Sequence, residues 1–128
     1  MGKILLVDDE EIILESYNGI LTSHGHEVTV AHDGYEAIDL YREKFPDLVI
    51  MDVLMPRLDG VEAIELLKQE FPDARIIAMS GGFMQQKEFF LDEARNRGAV
   101  EAIAKPFRPE ELLQIIDKLL DEQKSDKG

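Results

Sequence analysis

Asp8 with Asp9, Asp52, Ser80 and Lys105 each follow a short apolar run: Ile4-Leu5-Leu6-Val7, Leu48-Val49-Ile50-Met51, Ile76-Ile77-Ala78-Met79 and Ala102-Ile103-Ala104. Runs of that length read as strands. In an open parallel α/β sheet, ligand sites lie outside the carboxyl ends of the strands, where the strand order reverses. Three carboxylates, a hydroxyl and an ammonium would converge in that crevice. A carboxylate oxygen such as that of Asp52 can attack phosphorus and form an acyl phosphate. The attack brings one anion toward another, so it needs positive charge. Asp8, Asp9 and Asp52 make a hard oxygen cluster suited to Mg²⁺, which takes one or two carboxylates, several waters and a phosphate. Such a metal offsets the carboxylate repulsion and the charge developing on the phosphoryl oxygens. Lys105 adds a compact positive charge and Ser80 a hydroxyl donor for the remaining oxygens.

Taken singly, each of these residues also has a structural reading. Asp8-x-x-Glu11 has the form of a helix N-cap, and Ser80-Gly81-Gly82 that of a loop. An Asp after a strand is a common turn residue, and a Lys before Pro is usually a solvated charge. Their coincidence at four strand ends is what argues for a site.

The elements that must position these residues follow from hydrophobic period. Strand-length apolar runs alternate with longer segments of helical period, the pattern of βαβ units and a mainly parallel sheet. Strands are predicted near Lys3–Asp8, Glu27–Ala31, Asp47–Asp52, Arg75–Ser80 and Val100–Ala104, and helices near Glu10–Ser23, Tyr35–Lys44, Gly60–Glu70, Gln85–Arg97 and Pro109–Asp121. The first, third and fourth strands are continuously apolar, as strands buried on both faces are. The second alternates polar with apolar and the fifth is short and carries Glu101, so both belong at sheet edges. With short right-handed crossovers, the predicted fold is α/β, a flavodoxin-like doubly wound five-stranded parallel sheet of order 2-1-3-4-5 with five helices. Asp33-x-x-Glu36 and Asp59-x-x-Glu62 have capping-box form, Pro109 with Glu110 and Glu111 suits a first turn, and Gly98 suits a helix stop.

The 128 residues make one domain, predicted over residues 1–121, with 122–128 as a flexible tail because nothing apolar remains after Leu120. No apolar run approaches the roughly 18 residues of a membrane span, and the N-terminus enters a strand without a secretory signal. A cytoplasmic protein is expected. The absence of cysteine excludes disulfides and thiol chemistry, and a net charge of −13 opposes direct nucleic-acid binding.

The whole set resembles the receiver domains of two-component response regulators. The resemblance is carried by Val7-Asp8-Asp9, Asp52-Val53-Leu54-Met55-Pro56 with Asp59-Gly60, Ser80, Gly98-Ala99 and Lys105-Pro106-Phe107. It implies that Asp52 is the phosphoacceptor and that Asp9, Asp52 and the Leu54 backbone carbonyl bind Mg²⁺. Asp8 then assists largely through water, Ser80 senses the phosphoryl group, and Lys105 pairs with it. It also implies a cis peptide at Lys105-Pro106, and a histidine kinase or phosphotransfer protein as donor. The output protein is unidentified; the docking surface would be the face of the fourth helix, fifth strand and fifth helix. A stand-alone, chemotaxis-regulator-like switch is expected, one that catalyses only its own phosphorylation and slow dephosphorylation.

Three departures from the family pattern stand out. Ala102 replaces the usual Tyr or Phe, Leu54 and Gly82 offer no side-chain hydrogen bond to an attacking water, and Gly81–Lys87 is slightly long. The rival class is an aspartyl-phosphate phosphatase or phosphotransferase, but such enzymes need a second Asp just beyond the nucleophile, and Asp52 is followed by Val53-Leu54. A flavin module on the same fold would be repelled by Asp8-Asp9-Glu10-Glu11. His24, His26 and His32 lie away from the acidic cluster and show no convergence toward a metal. Met51, Met55 and Met79 read as core fillers. On the fourth helix, Lys87, Phe90, Leu91, Ala94 and Gly98 form the inward stripe, which leaves Phe89 outward.

Overall fold

A sheet buried on both faces is the organising feature of the computed structural model, which describes residues 2–53, 60–80, 92–104 and 108–127, with side chains as far as 121. The strands are β1 (Lys3–Val7), β2 (Glu27–Ala31), β3 (Leu48–Asp52), β4 (Ile76–Ser80) and β5 (Glu101–Ala104), all parallel, in the order β2-β1-β3-β4-β5. This is the order predicted from the apolar runs. Every residue of β3 and β4 is buried, whereas β2 and β5 keep partly exposed positions, as edge strands do.

Helices α1 (Glu11–Ser23), α2 (Gly34–Lys44), α3 (Gly60–Glu70), α4 (92–97) and α5 (Pro109–Lys127) cover the two faces. Because successive strand residues point to opposite faces, neighbours in sequence enter different cores. Leu5, Val7, Val49, Met51, Ile76 and Ala78 pack with Ala37, Ile64, Leu67 and Ala94. Ile4, Leu6, Leu48, Ile50, Ile77 and Met79 pack with Leu14, Leu21, Leu112 and Ile116. Met51 and Met79 are therefore core fillers, as predicted. Among the described residues no helix is long and apolar enough to cross a membrane.

The element ends show which local signals operate. Asp33 caps α2, its Oδ1 accepting from the Glu36 N–H at 2.9 Å, as the capping-box pattern predicts. The N-cap of α1 is instead Glu10, whose side chain makes no capping bond. Asp8 accepts from the Glu10 N–H at 3.0 Å and is not the helix cap that its spacing to Glu11 allowed. Gly98 stops α4 with a φ of 125°, and its N–H donates to the Arg95 carbonyl at 3.1 Å. The last element is longer than predicted. Helix α5 continues from Asp121 to Lys127 because this stretch contains good helix formers and no Gly or Pro before Gly128.

Candidate phosphoryl-transfer site

Three of the four strand ends that the sequence singles out are described, and the register sets them side by side. Val7 pairs with Met51, so Asp8 and Asp52 follow adjacent partners; Asp52 pairs with Met79, and Ser80, the next residue, pairs with Ala104. Asp52 is 4% exposed, and Asp8 and Ser80 are fully buried. The Ser80 Oγ has no hydrogen-bond partner among the described residues. Lys105, directly after Ala104, and Leu54 lie outside the described residues, as do Asp59, Met55, Gly82, the segment 81–87, Phe89, Phe90, Leu91 and the Lys105-Pro106 bond.

On β1 the backbone continues past the strand. The Asp8 N–H donates to the Ala31 carbonyl at 3.1 Å, which aligns Asp8 with the end of β2 before the chain turns into α1. Carboxylate oxygens of Asp8, Asp9 and Glu10 lie within 4.8 Å of one another, Asp8 buried and the other two exposed. Glu10 was not singled out from the sequence; its position next to Asp9 was the available signal, masked by its place at a helix start. Asp52 is not in this group. The donors are all hard oxygens, the type of ligand that Mg²⁺ takes.

His32 lies beside the cluster, not away from it as the sequence suggested, because β2 ends next to Asp8, and it bridges two helices: its Nε2 is 2.6 Å from Glu11 at the start of α1, and its Nδ1 is 3.4 Å from Glu36 in the first turn of α2. Burial opposes the imidazolium, but hydrogen bonds and attraction from Glu36 and Glu11 outweigh it and raise the His32 pKa. His26 is at the opposite end of the sheet, where its Nδ1 accepts from the Gly2 N–H at 3.1 Å; burial lowers its pKa. His24 Nδ1 is 3.0 Å from the Ile20 carbonyl. Each imidazole thus serves a separate local bond.

The exit from β3 is held tightly. Val53, buried in the core, donates its N–H to the Met79 carbonyl at 2.9 Å and accepts at its own carbonyl from the Gly60 N–H at 3.1 Å. A Cβ added at Gly60 would sit 2.9 Å from the Asp52 carbonyl carbon and closer still to the Asp52 carbonyl oxygen and the Val53 Cα. On the far edge, Ala102 is partly buried against the core, and its carbonyl accepts from Arg95 Nη2 at 3.3 Å, linking α4 to β5. Glu101 on β5 faces Lys118 of α5 at 3.7 Å.

Comparison with known proteins gives a consistent pattern. The family model for the response regulator receiver domain matches residues 4–117. The chain is 39% identical to the chemotaxis protein CheY of Bacillus subtilis over 119 residues, which are 92% of this chain and 97% of that protein. It is 37% identical to the response regulator MprA of a Mycobacterium species over 127 residues, 98% of this chain but 54% of that protein. The chain thus spans nearly all of the first relative and about half of the second. A CheY-like receiver domain crystal structure from Methanospirillum hungatei superposes with a TM-score of 0.88 at 32% identity, covering 98% of both chains.

Proposed function

The chain belongs to the response regulator receiver domain family, and we propose that it works as a phosphoaspartate switch, taking a phosphoryl group onto Asp52 from a histidine kinase or phosphotransfer protein. In this transfer an Asp52 carboxylate oxygen forms the bond to phosphorus. The phosphorus–nitrogen bond of the donor's phosphohistidine breaks, and its electron pair stays on the imidazole. One observation carries the proposal: the strand register sets the buried Asp52 between the ends of β1 and β4, which bring Asp8 and Ser80.

Each neighbour has a task that its chemistry fits. Asp8, Asp9, Asp52 and the Leu54 carbonyl would hold Mg²⁺, with Glu10 close enough to orient a coordinated water. When bound, the metal offsets repulsion among the carboxylates and on the phosphoryl oxygens. A buried hydroxyl without a partner is unfavourable by about 1–3 kcal/mol, so the Ser80 Oγ is a donor held in reserve for an arriving phosphoryl oxygen. Lys105, next after Ala104, would supply the ammonium. Phosphorylation adds up to two negative charges, and the change would reach a partner through the face of α4, β5 and α5, where β5 is partly exposed and α4 is tied to it through Arg95.

Acetyl phosphate with Mg²⁺ tests the assignment. Wild-type protein is expected to take one alkali- and hydroxylamine-labile label that mass spectrometry maps to Asp52, and Asp52→Asn to take none. Undiminished label in Asp52→Asn would overturn the proposal.

A further inference from the structure

The geometry points to Gly60 as a positioning residue for Asp52, acting by the absence of a side chain; this rests on Asp52 being the phosphoacceptor. A carboxylate at the end of a strand points where its backbone points, and the Asp52–Val53 backbone is held on three sides. Asp52 pairs with Met79 of β4, the Val53 N–H donates to the Met79 carbonyl at 2.9 Å, and the Val53 carbonyl accepts from the Gly60 N–H at 3.1 Å. The Val53 side chain is buried in the core and adds a fourth restraint. The first turn of α3 closes the set, because Gly60 approaches the Asp52 carbonyl and the Val53 Cα more closely than any side-chain carbon could.

The atoms opposing Gly60 are backbone, not the flexible end of a side chain, so they cannot rotate away. A methyl group at position 60 must therefore push α3 outward or shift the Asp52–Val53 peptide. The second response moves the nucleophile relative to Asp8 and Ser80, which are set by β1 and β4 and would not follow. Misplacement by roughly 1 Å can slow a positioned reaction on the order of 10²-fold. Gly2 and Gly98 instead oppose side-chain carbons, of Leu120 and Lys68, and not backbone. A Cβ at Gly19, on the exposed surface of α1, would meet nothing within 4 Å.

The experiment compares wild type, Gly60→Ala, Gly19→Ala and the Gly19→Ala/Gly60→Ala double variant in acetyl phosphate labelling at saturating Mg²⁺, with circular dichroism and melting curves alongside. Gly19→Ala favours helix by propensity and so offsets lost stability without touching the site. The expected result is a folded Gly60→Ala protein whose maximal labelling rate falls on the order of 10²-fold with an unchanged half-saturating donor concentration. In the double variant the melting temperature should rise while the rate stays low. Four results would overturn the role: a wild-type rate in Gly60→Ala, a loss confined to the half-saturating concentration, a rate that recovers together with the melting temperature, or failure to fold in both backgrounds, which would make Gly60 a requirement of the fold alone. Wild-type protein that takes no label on Asp52 would instead overturn the phosphoacceptor assignment.

Discussion

Asp9 and His26 report on opposite ends of the sheet, and both can be tested singly. Asp9 is exposed beside the buried Asp8, its carboxylate within 4.8 Å of its neighbours' oxygens. Were Asp9 a ligand of the proposed metal, Mg²⁺ with beryllofluoride, which stands in for the phosphoryl group, would stabilise the folded state by about 2.7 kcal/mol at a hundredfold its dissociation constant. A melting curve of the wild type should rise by several degrees, and that of Asp9→Ala should not. His26 has a folded-state pKa below the ordinary 6.5 because burial opposes its charge, while Asp117 acts the other way. Above pH 6.5 the imidazole is neutral in both states. As pH falls below 6.5 the unfolded chain takes a proton that the folded one resists, so stability is lost down to the lowered value. His26→Gln should flatten that fall in a series of urea midpoints against pH; an unchanged slope would remove His26 as its source. His32 works with the opposite sign, since its raised pKa gives stability that is lost as pH rises through it. The placement of the acidic pair, Asp52 and Ser80 at strand ends was legible because each closes an apolar run, and the coincidence of several such ends set them apart from ordinary turn residues. Glu10 and the close approach at Gly60 were not, because a carboxylate at a helix start and a glycine after Asp59 both have ordinary local explanations.

Among the helices, α2 makes its boundary chemistry easiest to test. The Asp33 bond to the Glu36 N–H satisfies one of the four donors left open at a helix start. Asp33→Ala should cost about 1 kcal/mol and lower the melting temperature by roughly 4 °C for a domain of this size. A change within error would mean that solvent replaces the cap. At its other end α2 stops on Phe45, which has a left-handed φ of 45° and meets Tyr41 and Phe71 edge-to-face at centroid distances of 6.1 Å and 5.7 Å. No local rule marks an aromatic residue for that conformation; the contact with Phe71, just past the end of α3, is invisible before the helices are placed. Strand order was legible for the contrary reason. Continuous apolar runs in β3 and β4 and polar breaks in β2 and β5 record burial directly. The α5 end was missed because apolar periodicity marks only the part of a helix that packs, and the last turns from Glu122 extend past Leu120, the last apolar residue in the chain.

For the molecule as a whole, the sheet divides one chain into two cores, and each core needs residues from both halves of the sequence. Every ladder joins strands with intervening chain between them: β1 to β2 across α1, β1 to β3 across α1, β2 and α2, β3 to β4 across α3, and β4 to β5 across α4. Loop-closure entropy must be met before such distant pairings contribute anything. Helices, by contrast, form from local bonds in about a microsecond or less. The proposed site lies where two of these pairings meet, since Asp8 and Asp52 become neighbours only when β1 has met β3, and Ser80 joins only when β4 has docked. With Asp52 as the proposed phosphoacceptor, competence for labelling should therefore report that both pairings are complete. In refolding from urea, the far-ultraviolet helix signal should recover before the fraction of chains able to take label, and simultaneous recovery of the two would show that the sheet and the helices form as one event.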